Sequence, residues 1–298
     1  MKIMGICPPV LTPFDSDGEI NEGLLRRELG YLAGDAGVHG VVMGGSTGEG
    51  HTLNSQEIGL ITQAAVEEVG PQIPVISGVI SNSTRDAIEK GRAAAEAGAV
   101  ALQVTSVGYL FRPDDDHTLK YFADVTEATG LPIIIYNVIP WNYMDPQLLT
   151  RIVDNVEGVI GVKQSAMDLK MVVDLVAAIG DRALVMSATD SLLYPSFVLG
   201  ANGSIGGINA TAPGMCVDLW DATQRGDHQE ALQIHKLLHA IWNNLEPKEF
   251  NNMPACNKYA VSLQGRDCGV ARAPMHAPSA KQRAAIEQAI DAAGLRKI

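Results

Sequence analysis

Short apolar segments rich in β-branched residues alternate along the chain with longer segments of helical period. An apolar run of four to eight residues between turn signals predicts a buried strand, and apolar positions repeating every three to four residues predict an amphipathic helix. Eight strands are predicted, at residues 5–10, 38–43, 74–79, 99–104, 132–137, 159–164, 183–187 and 203–208. Helices are predicted between them at residues 21–33, 55–69, 83–97, 118–129, 145–153, 168–179 and 191–199.

Regular alternation of strand and helix predicts βαβ units, and eight such units favour a closed (β/α)8 TIM barrel of the α/β class. No G-x-G-x-x-G turn follows the first strand, which disfavours a doubly wound Rossmann-type sheet. From Pro213 onward the strand pattern stops, and helices are predicted at residues 213–224, 229–245, 252–263 and 279–293. The predicted organisation is a barrel catalytic domain over residues 1–225 and a C-terminal helical domain over residues 226–298.

The composition excludes several classes of partner. The net charge of −12 argues against nucleic acids and anionic membranes, and no apolar run approaches the length of a membrane span. A binding site can carry positive charge locally even when the whole protein is negative, so small anionic substrates stay compatible with the net charge. The N-terminus lacks a signal-peptide pattern, and the four cysteines show neither paired nor metal-type spacing. These features predict reduced thiols in a cytoplasmic protein.

Lys163 ends an apolar run, Gly158-Val159-Ile160-Gly161-Val162-Lys163, that belongs to the sixth predicted strand. Both faces of a parallel sheet are covered, so an ammonium group there is costly unless it has a partner or a function. Desolvation lowers the pKa of a lysine, and the neutral amine is the form that attacks a ketone to make a Schiff base. The alternative is a lysine at the strand end that reaches water or pairs with a carboxylate.

Polar residues also stand at the ends of other strands, where the chemistry of a TIM barrel lies. The second strand ends in Gly44-Gly45-Ser46-Thr47-Gly48-Glu49-Gly50, whose hydroxyls and backbone N–H groups suit a carboxylate or a phosphate. A plain glycine-rich turn is equally compatible with that segment. Tyr136 ends the fifth strand, where it either packs its ring or transfers protons to and from a substrate.

The seventh and eighth strands add weaker candidates. Asp190 follows the seventh strand, and an N-cap of the next helix is favoured there over contact with a substrate. The eighth strand supplies Gly203-Ser204-Ile205-Gly206-Gly207, where the glycines let a ligand approach the backbone around Ile205. Together, a hydroxyl pair, a tyrosine and a lysine from three strand ends predict a site for carbonyl chemistry.

Two histidine patterns resemble metal sites only superficially. His235 and His239 stand one helical turn apart without a third ligand, so they are predicted to be surface residues. His117 follows three aspartates that precede a helix, where acidic residues interact favourably with the helix dipole. No metal site is predicted.

Over nearly its whole length, the chain resembles the dihydrodipicolinate synthase and N-acetylneuraminate lyase superfamily of class I (Schiff-base) aldolases. The resemblance rests on segments that occur in the order and at the intervals typical of that superfamily. They are Val10-Leu11-Thr12-Pro13-Phe14, Gly45-Ser46-Thr47-Gly48-Glu49, Tyr136-Asn137, Gly161-Val162-Lys163-Gln164, Gly200-Ala201-Asn202-Gly203 and Arg272-Ala273-Pro274.

The resemblance implies a TIM barrel with a C-terminal helical domain and a homotetramer built as a dimer of dimers. It implies that Lys163 forms the Schiff base with a 2-oxo acid such as pyruvate and that Tyr136 is the acid/base residue. Ser46 and Thr47 would bind the substrate carboxylate, with Gly45 beside them, and Thr47 would join the proton relay. Neither a metal nor an organic cofactor is expected.

Departures from the family pattern bear on the substrate. The synthase has a tyrosine pair after the fourth strand, and here Tyr109 is followed by Leu110, so the second hydroxyl is missing. The synthase also has an arginine after the Tyr-Asn-x-Pro segment, where this chain has Trp141 and Tyr143. Lysine biosynthesis is therefore disfavoured, and a substrate whose distal end is not strongly anionic is expected.

Two further departures concern other members of the superfamily. Sialic acid lyases follow the aspartate after strand seven with a glutamate, whereas Ser191 stands here. The asparagine that the family carries after the eighth strand falls at Ala210, with Asn209 one place earlier.

The favoured function is a Schiff-base lyase, of the aldolase or dehydratase type, that acts on pyruvate or a 2-oxo-3-deoxy acid. The synthase proper, a deaminase of hydroxypyrroline carboxylates and a catalytically silent 2-oxo acid binder remain alternatives. A phosphate-binding barrel enzyme that uses the two glycine-rich loops is a further alternative.

Overall fold

The apolar segments form eight strands in the computed structural model, which describes residues 2–245 and 252–297. Five predicted strands shorten by one to three residues at their N-terminal ends, and the sixth occupies the predicted residues. The first begins at the predicted residue but ends at Ile6, four residues early. The strands are β1 Gly5–Ile6, β2 Val41–Met43, β3 Val75–Val79, β4 Ala101–Thr105, β5 Ile133–Asn137, β6 Val159–Gln164, β7 Leu184–Ser187 and β8 Gly203–Ser204.

The segments of helical period form helices, several of which begin after a side chain that caps the first turn. Ser83 accepts a hydrogen bond from the Asp86 N–H, and Asn54 forms a reciprocal capping box with Glu57. The helices are α1 Glu22–Ala33, α2 Ser55–Val69, α3 Thr84–Glu96, α4 Asp115–Thr129, α5 Pro146–Asn155, α6 Leu169–Ile179, α7 Leu193–Val198, α8 Gly207–Thr211, α9 Pro213–Gln224, α10 His228–Leu245, α11 Met253–Ser262 and α12 Ala280–Ala292.

All eight strands are parallel and lie in one sheet, where each strand from β2 to β8 pairs with the next one in sequence. β1 pairs with β8 through Gly5 and Gly203. The chain just after β1 then reaches β2, where the Val10 N–H donates to the Val42 carbonyl at 2.9 Å. The sheet therefore closes, and the predicted (β/α)8 TIM barrel is confirmed.

A β-bulge in β6 decides which side chains of that strand face the barrel interior. Ile133 pairs with Val159, and Ile134 pairs with Gly161, so Ile160 is an extra residue. Ile160 packs in the interior cluster with Ile134, whereas Val159 and Val162 pack in the outer core. Since side chains alternate along a strand, Lys163 and Tyr136 both face the interior, at the same level of two neighbouring strands.

The predicted strand at residues 203–208 is wrong beyond Ser204. β8 ends there, and α8 begins at Gly207. The apolar, β-branched residues of the segment predicted a longer strand, but the Asp190 carboxylate accepts the Ile208 N–H at 2.9 Å, which fixes the first turn of α8. Ile205 nevertheless lies fully buried in the barrel interior.

Helices α10 to α12 form the C-terminal extension, which packs against the barrel through α9 and α8. Two buried ion pairs join the two parts, Lys258 with Glu49 and Arg266 with Glu28. Residues 246–251 and 298 of the predicted helical domain lie outside the described residues, and the division at residue 225 stays a prediction. In the described ranges, no helix combines the length and apolarity needed to cross a membrane.

Candidate active site

Lys163 and Tyr136 are in direct contact at the carboxyl ends of β6 and β5. The Nζ atom of Lys163 lies 3.6 Å from the centroid of the Tyr136 ring. The two residues are register partners across the β5–β6 pair, and both are buried, with Lys163 only 3% exposed. The sequence predicted a shared edge for them, and the structure adds the contact between amine and ring.

The Lys163 amine lies in an environment that disfavours its charged form. Burial lowers the pKa of Lys163 from its ordinary value of 10.5 to about 7, although the negative charge of Asp190 opposes this shift. A large fraction of the amine is therefore neutral near pH 7. A neutral, partly shielded amine is the form that can add to a carbonyl carbon.

Tyr136 connects the Lys163 amine, which its ring contacts, with the loop after β2, which its hydroxyl contacts. It donates a hydrogen bond to Ser46 Oγ at 3.1 Å. Burial raises the pKa of Tyr136 to about 12, and the bond to Ser46 works against that rise. The phenol is thus protonated at neutral pH. It can donate its proton and then take up another one after the transfer.

The loop after β2, residues 44–50, is folded so tightly that it requires glycines. A Cβ atom at Gly48 would lie 2.4 Å from the Val10 carbonyl oxygen, and one at Gly50 would lie 1.8 Å from that of Gly44. Thr12 Oγ1 also donates to the Gly48 carbonyl at 2.6 Å. These contacts hold Ser46 and Thr47 in place, with Thr47 buried.

The substrate-binding roles of Gly45 and Ile205 stay predictions. The Gly45 carbonyl accepts the Gly50 N–H, and the Ile205 N–H donates to the Ser187 carbonyl in the sheet. Ile205 can therefore offer its side chain or its carbonyl to a substrate, but its N–H is engaged.

The expectation that Asp190 caps the following helix is wrong. Leu192 holds the N-cap position of α7 and makes no side-chain cap bond, whereas Asp190 accepts the Ile208 N–H of α8. A Cβ atom at Gly206 would lie 2.2 Å from Asp190 Oδ1, so only glycine fits there. Asp190 thus joins the end of β7 to the start of α8 while its charge acts on Lys163.

Tyr109 is separated from this cluster within the single chain. It lies in the loop after β4 and is 78% exposed, with Leu110 and Phe111 also exposed beside it. Trp141 donates its indole N–H to the Gly108 carbonyl at 2.7 Å, which ties this loop to the one after β5. Contact of Tyr109 with a substrate stays a prediction.

Gln103 is a buried polar residue near the 44–50 loop that the sequence analysis did not single out. Gln103 is fully buried in β4, and neither end of its amide hydrogen-bonds to another group of the described chain. Its Nε2 atom lies 3.8 Å from the position of a Cβ at Gly45, so the amide reaches toward the 44–50 loop. The Tyr143 hydroxyl approaches the Ser165 carbonyl at 3.4 Å. A glutamine inside an apolar strand is the same signal that identified Lys163.

Among residues 2–245 and 252–297, no group of three or more His, Cys, Asp and Glu side chains is arranged to hold a metal ion. Asp114 caps α4 by accepting the His117 N–H, as the acidic run predicts. The rings of His235 and His239 lie 6.4 Å apart on α10. All four cysteines are free and buried, and burial raises the pKa of the Cys7 thiol to about 12.

The fold and the site define a class of protein: a (β/α)8 barrel with a buried lysine amine at the carboxyl ends of its strands. The sequence model of the Dihydrodipicolinate synthetase family matches residues 2–293. The chain belongs to that family.

Individual relatives agree with this assignment. The 4-hydroxy-tetrahydrodipicolinate synthase of Methanopyrus kandleri is 33% identical over 277 residues, covering 92% of this chain and 91% of the relative. A prophage protein of the dihydrodipicolinic acid synthase family from E. coli K12, solved with pyruvate, superposes with a TM-score of 0.92 at 25% identity, covering 99% and 100% of the two chains. N-acetylneuraminate lyase from Fusobacterium nucleatum, also solved with pyruvate, gives 0.87 at 26% identity over 97% and 96%.

Proposed function

We propose that this protein is a Schiff-base lyase of small 2-oxo carboxylic acids, with Lys163 as the nucleophile and Tyr136 as the acid/base residue. The single observation that carries the proposal is the Lys163 amine, which is buried against the Tyr136 ring with its pKa lowered to about 7. A buried lysine without a catalytic role would be a costly feature of this sheet. The substrate class follows that of the relatives solved with pyruvate.

The first step joins enzyme and substrate covalently. The neutral Lys163 amine adds to the ketone carbon, and the ketone oxygen leaves as water after protons have been transferred, so an imine forms at C2. Tyr136, whose ring lies against the amine, is assigned the supply and recovery of these protons through its hydroxyl. Ser46 and Thr47, with Gly45 beside them, hold the substrate carboxylate through hydroxyl and backbone groups.

The protonated imine then weakens the bonds at the neighbouring carbon. It withdraws electrons from C3, so a C–H or C–C bond at C3 can break while its electron pair is held as an enamine. The enamine pair can then be protonated at C3, or it can expel a hydroxyl group from C4, which leaves as water after taking up a proton. Which bond breaks distinguishes an aldolase from a dehydratase. These steps need no oxidant, no reductant and no cofactor.

The distal part of the substrate is proposed to be uncharged or weakly polar. Trp141 and Tyr143 occupy the loop after β5, and the exposed loop after β4 carries Leu110 and Phe111. Such a rim offers apolar and aromatic surface rather than a cation. Hydroxylated 2-oxo-3-deoxy acids fit this description better than a substrate with a second carboxylate near the rim.

The proposal is tested by borohydride trapping with pyruvate and mass spectrometry of the peptide that contains Lys163. A pyruvyl adduct on Lys163 in the wild type, and its loss in Lys163→Ala, is the expected result. Absence of an adduct with every 2-oxo acid tested would overturn the proposal and favour a silent binder. A rise in melting temperature with inorganic phosphate but not with pyruvate would favour the phosphate-binding alternative.

A second candidate is 4-hydroxy-tetrahydrodipicolinate synthase itself, which the names of the curated relatives favour. Formation of 4-hydroxy-tetrahydrodipicolinate by the purified protein would establish it. The aromatic residues at Trp141 and Tyr143 argue for the first candidate, since the resemblance places a cation there in the synthase.

The assembly and location belong to the same proposal. A homotetramer built as a dimer of dimers is supported by the exposed apolar residues at 109–111 and Trp141. A cytoplasmic location is supported by four cysteines that are buried as free thiols.

A further inference from the structure

Glu49 is a charged residue buried inside the loop that carries Ser46 and Thr47, and the C-terminal extension neutralises it. Its side chain is 0% exposed and that of Lys258 is 3% exposed, with Lys258 Nζ 2.7 Å from Glu49 Oε1. The second carboxylate oxygen, Oε2, accepts the Arg272 N–H at 2.8 Å. Lys258 also donates to the Val270 carbonyl at 2.6 Å.

The backbone of Glu49 is strained and must be held by its neighbours. Glu49 has φ of +58°, the one positive φ at a non-glycine residue in the described parts of the chain. Left-handed backbone is unfavourable for a glutamate, so neighbouring contacts must hold it. Its N–H donates to the Ser46 carbonyl at 3.1 Å, so the turn at Glu49 sets the positions of Ser46 and Thr47 directly.

A contribution to stability does not by itself explain why Glu49 and Lys258 form a buried ion pair. Burying two charges costs much of what their attraction returns, and buried pairs are often replaceable by apolar residues without loss of stability. What a buried pair can supply is a unique arrangement of the groups around it. Here those groups are the two hydroxyls that face the candidate substrate carboxylate.

We propose that Glu49 and Lys258 are positioning residues, through which the C-terminal extension sets the affinity of the 44–50 loop for the substrate carboxylate. This inference rests on the proposed function of the site. Neither residue touches the reacting atoms. Lys258 acts through Glu49, and Glu49 acts through Ser46 and Thr47.

The chain contains a matched control pair. Arg266 and Glu28 are also buried, at 5% and 3% exposure, with Nη1 and Oε1 3.1 Å apart, and they also join the extension to the barrel. Glu28 lies in α1 rather than in a loop at the carboxyl end of the barrel. Loss of this pair should weaken the same interface without changing the 44–50 loop.

The experiment measures borohydride trapping of pyruvate on Lys163 at increasing pyruvate concentration. For Lys258→Met we expect the half-saturating concentration to rise about tenfold or more, which corresponds to about 1.4 kcal/mol or more. The trapping rate at saturation should change far less, because Lys163 and Tyr136 are untouched. Lys258→Arg, which keeps the charge, should restore most of the affinity.

Lys258→Met leaves Glu49 buried without its ammonium partner, so the double variant Glu49→Gln with Lys258→Met is made as well. The glutamine amide can still accept the Arg272 N–H, but the bond from position 258 to position 49 is lost, so the double variant should show the same loss of affinity. Glu28→Gln should lower the melting temperature while the half-saturating concentration stays unchanged.

The outcomes separate this inference from the proposed function. A wild type that traps no 2-oxo acid removes the proposed function and this inference with it. A wild type that traps pyruvate, together with a folded double variant of unchanged half-saturation, overturns the positioning role alone. Equal loss of affinity in Glu28→Gln would also overturn it, because the effect would then be general weakening of the interface.

Discussion

At the scale of single residues, the Lys163 amine controls the first step through its protonation. Its pKa is lowered to about 7 by burial, so the ammonium form dominates below that pH and the neutral amine above it. The rate of imine formation with pyruvate should therefore rise about tenfold per pH unit below pH 6 and level off above pH 8. Initial rates of adduct formation with cyanoborohydride, followed by mass spectrometry, measure this profile.

A substitution at Asp190 tests whether the protonation of Lys163 sets this pH profile. Its negative charge raises the pKa of Lys163, so Asp190→Asn should move the midpoint of the profile to lower pH. A profile that is flat between pH 6 and pH 9 would contradict the neutral-amine mechanism.

The same lowered pKa has a consequence for stability. In the unfolded chain the amine returns to its ordinary value of 10.5, so between about pH 7 and that value the unfolded state binds more protons. Stability of the wild type therefore rises with pH across this interval. Lys163→Met removes the buried charge and should raise the free energy of unfolding by roughly 2–5 kcal/mol at pH 7, with the gain shrinking toward pH 10.

Urea denaturation at pH 7 and pH 9 tests the Lys163→Met prediction. Lys120→Met, at an exposed position of α4, is the control and should leave the free energy of unfolding nearly unchanged. A gain for Lys163→Met that is equal at both pH values would mean that the stability change does not come from the charge.

At the scale of elements, the contact between Asp190 and α8 leaves no room beside it. A Cβ at Gly206 would lie 2.2 Å from Asp190 Oδ1, so Gly206→Ala must displace the carboxylate from the Ile208 N–H. We expect a loss of about 1–3 kcal/mol in the free energy of unfolding, together with a changed pH profile of trapping.

Gly214→Ala is the matched control for Gly206→Ala. Gly214 lies in α9, and no atom stands within 4 Å of the position of its added Cβ. Its substitution should raise stability by about 0.5–1 kcal/mol, because alanine is the better helix former. Thermal or urea unfolding measures both, and equal effects of the two substitutions would refute the steric argument.

The extent to which sequence predicts this fold is clearest in β6. Its bounds follow from local apolarity, and the prediction at 159–164 is confirmed. Simple alternation, however, places Val159 and Lys163 on one face. The bulge at Ile160 separates them, and it is defined by pairing with β5, which local pattern does not contain.

The candidate site likewise has residues that the sequence predicts and residues that it does not. Lys163, Tyr136 and the 44–50 loop follow from their places at strand ends, and their common edge is a property of the barrel. Gln103 was missed because it stands in the middle of β4, whereas the candidate residues were sought at strand ends. The partner of Glu49 was missed because Lys258 stands 209 residues away, and such a contact exists only after the extension has packed.

At the scale of the whole molecule, the apolar residues around the loop after β4 predict an assembly. The residues at 109–111 and Trp141 are between 70% and 81% exposed in the single chain. Apolar side chains grouped in this way favour contact with another copy. The double variant Leu110→Asp with Phe111→Asp should convert the proposed tetramer into smaller species, as measured by sedimentation velocity.

The control for the assembly is Leu60→Asp, a partly exposed leucine of α2. It should leave the sedimentation coefficient unchanged. A monomeric wild type, or a double variant that sediments like the wild type, would contradict the proposed assembly.

The distance along the chain between Glu49 and Lys258 has a consequence for synthesis on the ribosome. The loop leaves the ribosome 209 residues before the lysine that neutralises it. At about 5–20 residues per second, this delay lasts roughly 10–40 s. During that time the nascent barrel holds a carboxylate without its cation, so a polypeptide released early by a premature stop codon would carry every strand of the barrel yet lack a finished substrate site.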